Sequence, residues 1–279
     1  RLKELELPAL GHSDVLIKML AAPINPADIN MIQGTYALLA PLPAVAGSEG
    51  VGRVLEVGPG VVALSPGDCI IPADAGLGES GDGPWVHCAW GGVGDAKPPS
   101  LQRPLLRGEG DAPISALQGL SPSRPDLPQL VERLLALGAD HVVTEDALRK
   151  PEMKEIFKSI PKPRLALNCV GGRSTTEMLR HLQPKGTMVT YGGMAKQPVT
   201  VPVSAFIFRD VRLRGFWMTQ WKKDHDKQSM ASMVDTLCQM VQKGQLSAPA
   251  CTAVPLEDFR EALAASMQPF TSSKQILLL

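Results

Sequence analysis

The chain has 279 residues, 28 Lys plus Arg against 28 Asp plus Glu, and 44% hydrophobic side chains, figures of a soluble globular protein with two domains expected. No run approaches the ~20 apolar residues that a bilayer crossing needs, which excludes an integral membrane protein. Zero net charge hides an asymmetry: residues 1–123 carry 7 basic and 13 acidic side chains, residues 124–279 carry 21 and 15. The second part favours anionic ligands, yet it lacks the dense basic patches with interleaved aromatics of a nucleic-acid groove. The same balance also describes an ordinary solvated surface.

In chain order, DVLIKML (14–20), VGRVLEV (51–57) and PGDCIIP (66–72) are short aliphatic runs bounded by Gly, Pro and Asp, and predict strands of a β-rich unit. A short helix is expected around 28–32. After Arg124 the pattern changes. LPQLVERLLALG (127–138) has apolar residues at helical spacing and ends on Gly138, as helices often do. DHVVT (140–144), RLALNCVGG (164–172) and GTMVTYGG (186–193) predict buried strands, with helical stretches at 145–159 and 173–183 between them. That alternation is a βαβ signature, belonging to a parallel sheet whose ligands sit at the carboxyl ends of its strands. A strand over 211–217, a helix over 229–243, a strand near 250–254, a helix over 256–267 and a final strand, KQILLL, complete the α/β pattern. No fixed-period repeat is present, which excludes solenoids and propellers.

Segment 79–123 differs in kind. It holds eight glycines and six prolines in 45 residues, a composition of low-complexity or disordered chain, and it is expected to lack regular structure. Cys69, Cys88, Cys169, Cys238 and Cys251 are scattered without a C-x-x-C pair, so they read as reduced thiols. The chain opens on Arg1 with neither an initiator Met nor a targeting peptide, so its natural N-terminus is expected elsewhere.

The strings AAPINPADINMIQGTYALLAPLPAVAGSEGVGRVLEVG, PGDCIIPADAGLG, RLALNCVGG, TMVTYGGMAKQPV, LRGFWMTQWKKDH and SSKQILLL carry a family resemblance. Together they are similar to mitochondrial trans-2-enoyl-thioester reductase, of the medium-chain dehydrogenase/reductase superfamily. The resemblance covers 1–78 and 124–279. It implies a GroES-like β domain with the substrate site (1–78, joined again by 222–279) and a Rossmann-type cofactor domain (124–221). It further implies a homodimer in the mitochondrial matrix, and NADPH-dependent reduction of the carbon–carbon double bond of an enoyl group on acyl carrier protein or coenzyme A.

That chemistry delivers a hydride to Cβ, develops negative charge toward the thioester oxygen and requires a proton at Cα, which calls for a neutral donor. Tyrosine suits the task, because an ordinary phenol stays protonated at neutral pH. Tyr36 matches the family's catalytic tyrosine. For the cofactor, the resemblance implies Tyr191, Gly192, Gly193 and Met194 in a loop after a strand, Phe216, Trp217 and Met218 in a second stretch, and Lys274 near the C-terminus. Arg124 takes the position where a basic residue holds the 2′-phosphate of NADPH. No metal is expected, because Ser48 stands where related alcohol dehydrogenases place His, and NPADIN supplies Asn25 and Pro26 but no thiolate.

Where the family has its first Rossmann strand, glycine-rich diphosphate loop and helix, this chain has the 79–123 segment, so the first βαβ unit is expected to be missing. GGVGDA (91–96) does not replace that loop. Its successor KPPS cannot open a helix around two consecutive prolines, and a diphosphate loop needs a helix N-terminus. Two alternatives therefore stand beside the reductase: a catalytically silent relative unable to bind NADPH, and a quinone reductase of the same superfamily. Lys222 and Lys223, after Trp221, are either solvated surface or contacts for coenzyme A phosphates or the acidic helices of acyl carrier protein.

Overall fold

The computed structural model of the chain describes residues 2–4, 6–36, 39, 42–72, 85–87, 125–269 and 271–279. It divides into two units, Arg1–Pro99 with His225–Leu279, and Ser100–Asp224. Among the described residues no helix is long and apolar enough to cross a membrane.

In the first unit the aliphatic runs pair as expected. β1 (Val15–Pro23) lies antiparallel to β2 (Val51–Val57), which continues to β3 (Cys69–Pro72), with the one-turn-longer-than-minimal helix α1 (Pro26–Ile32) following β1. Val54 on β2 and Ile70 on β3, 1% and 0% exposed, are buried in this unit, each burial contributing about 1.5–3 kcal/mol. A further strand, β4 (Trp85–His87), pairs antiparallel with β3. It corrects the expectation that 79–123 lacks regular structure: β3 has an open ladder edge beyond Cys69, and an extended segment satisfies those backbone groups. The rest of 79–123, GGVGDA included, lies outside the described residues.

The second unit begins with α2 (Leu127–Ala136), ended by Gly138 at φ 100° with its N–H on Leu135. The expected strand 140–144 is not one. A strand is a property of a pair, and no strand lies beside this segment among the described residues; Val143 instead packs on the core. The helical stretch expected over 145–159 divides into a 3-10 turn (Ala147–Arg149) and α3 (Glu152–Ser159). Pro151 causes the break, because the residue before a proline is driven to extended backbone, and Lys150 has ψ 157°.

Next come β5 (Leu165–Asn168), α4 (Gly172–His181), β6 (Thr187–Thr190), α5 (Val203–Ile207), β7 (Arg212–Gly215) and α6 (Met218–Asp224). α5 and α6 were not foreseen. The three strands form a parallel sheet in the order β5-β6-β7, confirming the Rossmann-type pattern. Leu179, Leu182 and Met188, wholly inaccessible, anchor its core with Ala166, Met178 and Val211.

The chain then returns to the first unit through α7 (Lys227–Gln242), which starts two residues earlier than expected because Asp226 caps it, its Oδ1 accepting from the Ser229 N–H at 2.8 Å. β8 (Cys251–Pro255), a 3-10 turn (Leu256–Asp258), α8 (Phe259–Ser266) and β9 (Lys274–Leu278) follow. β9 enters between β1, antiparallel, and β8, parallel, giving a six-stranded sheet of order β4-β3-β2-β1-β9-β8.

Candidate active site

In the second unit, the carboxyl ends of three adjacent parallel strands bring both stretches of candidate cofactor residues to one edge. β6 releases Tyr191, Gly192, Gly193 and Met194, and β7 releases Phe216 and Trp217 into Met218 at the start of α6. The ladder runs on past the strands, with Tyr191 N–H on Asn168 O and Phe216 N–H on Thr190 O, both 2.9 Å. Tyr191, Phe216 and Trp217 are 53%, 44% and 41% exposed, which leaves ring surface open along this edge.

The glycines have separate reasons. A Cβ on Gly192 would stand 3.0 Å from Cys169 O, so this residue is small because two strand ends approach closely. A Cβ on Gly193 would meet nothing within 4 Å, so nothing in the protein demands its smallness and the open space suits a ligand. Gly171 and Gly172, at φ 86° and 67°, turn the chain from β5 into α4 through backbone that side chains rarely adopt. An open edge of flat rings, with glycine backbone accessible beside them, fits a heteroaromatic cofactor ring.

Tyr191 has a neighbour that matters for its proton. Partial burial first, and then the Cys169 thiol beside it, hold its phenol above the ordinary value of 10. Such a group contributes stability that is present below the unfolded-state value and is lost as pH climbs through the folded value. The chain has only two tyrosines, so Tyr36→Phe leaves Tyr191 as the sole phenol. Alkaline titration of phenolate absorbance in that variant is expected to show a midpoint above 10; a midpoint at or below 10 would mean that neither burial nor the Cys169 contact raises it.

In the first unit, α1 separates two candidates. Tyr36 lies half-buried in the bend after the α1 exit, where Gly34 turns at φ 69° and the Thr35 N–H returns to Asn30 O at 2.8 Å. At the other end, the Lys274 ammonium donates to Asn25 Oδ1, so β9 delivers this lysine to the start of α1. The seven-residue helix between them is about 10 Å long. Arg124 lies outside the described residues. Of the lysine pair, Lys222 is half-buried and Lys223 exposed on α6.

Two polar residues organise these places and were not singled out from the sequence. Asp28, 6% exposed, accepts from the Asn25 N–H at 2.8 Å through Oδ2 and from the Ser48 hydroxyl at 2.7 Å through Oδ1. Hydrogen bonds to a charged group contribute about 1.5–3 kcal/mol each, so Asp28 fixes the entry of α1 and joins it to the loop before β2. Asn168, wholly inaccessible at the end of β5, does the same for the second unit. The available signal was a polar residue closing an otherwise apolar strand, LALN.

The chain matches the alcohol dehydrogenase GroES-like domain over residues 11–97 and the zinc-binding dehydrogenase family over residues 127–236. Mitochondrial enoyl-acyl carrier protein reductase of Bos taurus is 52% identical over 312 residues, covering 99% of this chain and 84% of the bovine protein. The chain belongs to the mitochondrial enoyl-acyl carrier protein reductase family. The human member is 51% identical with the same coverage. The aligned span exceeds the 279 residues present here, so these relatives carry residues that this chain lacks.

The solved Etr1p/NADP/crotonyl-CoA complex is 25% identical with a TM-score of 0.79, covering 99% of this chain and 93% of that one. Despite the zinc in the second family's name, the described residues offer no donor set for that ion. The Ser48 hydroxyl is spent on Asp28, and among the described residues no three His, Cys, Asp or Glu side chains are grouped to hold a metal.

Proposed function

We propose that this chain is an NADPH-dependent reductase of trans-2-enoyl thioesters, yielding saturated acyl thioesters. The observation that carries this reading is the gathering of Tyr191, Gly192, Gly193, Phe216 and Trp217 at the carboxyl edge of β5-β6-β7, in a chain about half identical to curated enoyl reductases. NADPH, when bound, supplies the hydride that reaches Cβ of the substrate.

The chain's own residues do the rest. The 191–194 loop and the 216–218 stretch hold the nicotinamide end, Lys274 makes a basic contact, and Arg124 takes the 2′-phosphate. Tyr36 donates the proton that balances charge developing toward the thioester oxygen, and its phenol does so without adding a formal charge. The donor set around Ser48 supports zinc-independent chemistry. Residues 1–78 and 222–279 carry the substrate side, and 124–221 the cofactor side. The acyl group arrives on acyl carrier protein or coenzyme A, in the mitochondrial matrix, and the working form is a homodimer; the relatives' names support a mitochondrial setting, and the Etr1p/Etr2p heterodimer from Candida tropicalis supports a dimeric form. Solved quinone reductases share the fold alone, as at 21% identity for the protein from Bacillus thuringiensis.

The test is titration calorimetry of the folded chain with NADPH, followed by thioester-dependent loss of NADPH absorbance. Saturable micromolar binding and turnover of an enoyl thioester are expected. A folded sample that binds no NADPH would overturn the proposal in favour of a silent relative.

A further inference from the structure

Asn168 makes more hydrogen bonds than any strand end requires. Its Oδ1 accepts from the Val170 N–H, the Gly171 N–H and the Thr175 hydroxyl, each at 3.1 Å, and its Nδ2 donates to Thr190 Oγ1 at 2.9 Å. Three of these partners lie in the β5-to-α4 connection and the first turns of α4. The fourth is the last residue of β6. Gly171, the residue before α4, has no side chain to hold the turn, and Asn168 instead ties the two amides just ahead of the helix to the Thr175 hydroxyl in its first turn.

The 191–194 loop leans on the backbone that Asn168 pins. Met194 N–H bonds Cys169 O at 3.1 Å, Ala195 N–H bonds Val170 O at 2.9 Å, and Gly192 lies against Cys169. Asn168 itself is 0% exposed and touches no ligand surface. We infer that Asn168 is a positioning residue for the cofactor edge: one buried amide fixes the ends of β5 and β6 together, and through them the loop that receives the nicotinamide. This inference rests on the reductase reading for its consequence in catalysis, while its structural half stands on the hydrogen bonds.

An amide is suited because the place needs an acceptor for three donors and a donor for one hydroxyl. A carboxylate also meets the first need, and the Thr190 hydroxyl can rotate to donate to it. Leucine, close in volume, meets neither and removes all four of these hydrogen bonds, two of them fully buried.

The experiment is peptide-resolved hydrogen exchange on Asn168→Leu, Asn168→Asp and Thr190→Val, with NADPH KM and kcat measured on the same samples. Asn168→Leu is expected to speed exchange of the Met194 and Ala195 amides about tenfold or more relative to the β6 amides. It is expected to raise NADPH KM about tenfold, with kcat at saturation within about threefold of the parent. Asn168→Asp is expected to restore parental exchange. Thr190→Val, which loses only the Nδ2 partner and keeps a β-branched strand residue, is expected to show the same local pattern more weakly, and it decides the matter if Asn168→Leu does not fold. Parental exchange in Asn168→Leu, or uniform acceleration throughout the second unit, would overturn the inference. If the parent chain consumes no NADPH, the reductase reading fails, and the exchange pattern still decides whether Asn168 holds the loop.

Discussion

Tyr36→Phe is expected to cut kcat about 100-fold or more while leaving NADPH affinity and the thermal midpoint unchanged. The substitution removes one oxygen from a half-buried side chain whose backbone is held independently, by the Gly34 turn and the Thr35–Asn30 bond, so the fold loses no internal support. In the proposed role Tyr36 is the proton donor, and positioned general acids typically contribute 10²–10⁴-fold, about 2.7–5.4 kcal/mol of barrier. Steady-state turnover of an enoyl thioester, beside calorimetric NADPH binding and a melting curve, separates these effects. Unchanged turnover would remove Tyr36 from the role. A fall in turnover accompanied by a fall in the thermal midpoint would mark a structural effect instead.

Gly171→Ala and Gly193→Ala are expected both to weaken NADPH binding and to differ in stability. Gly171 has φ 86° and ψ −167°, backbone that is almost confined to glycine, and an added Cβ would stand 2.8 Å from Gln197 O. Strained backbone of this sort costs about 1–3 kcal/mol before the clash with a carbonyl is added. A thermal midpoint lower by about 5 °C or more is expected, with weaker NADPH binding because the 169–172 turn must move. Gly193→Ala meets nothing within 4 Å and should leave the midpoint unchanged. It should nevertheless weaken NADPH binding several-fold, because in the proposed site the methyl takes up space that the cofactor would fill. Unaltered NADPH affinity in a stable Gly193→Ala protein would remove the 191–194 loop from the cofactor contacts.

Much of the fold was legible because its signals are local. VGRVLEV became a strand over its full length, Gly138 ended α2, and the alternation after Arg124 became a parallel sheet. What was misread depends on partners. DHVVT has the composition of a strand, but no neighbour to pair with among the described residues. Trp85–His87 lies in a glycine- and proline-rich stretch and became a strand because the edge of β3 was open to it.

α5, five residues of VSAFI, is too short for a periodic signal, and MTQWKKD was overshadowed by the strand reading of 211–217. The candidate site divides along the same line. The 191–194 and 216–218 stretches were found through their residues, and their meeting follows from strand order. The bond between Lys274 and Asn25 spans 249 positions of sequence, and the four bonds of Asn168 converge from both sides of α4; no local pattern announces either.

The position of β9 bears on how the molecule is made. The first unit is interrupted in sequence by the whole of the second, and β9, flanked by β1 and β8, is synthesised after all of it. On the ribosome, β1 and β2 emerge early but wait with one ladder edge open until translation reaches 274–278, whereas the contiguous second unit can fold meanwhile. A stop codon before 274 would therefore remove an interior strand together with the lysine bound to Asn25.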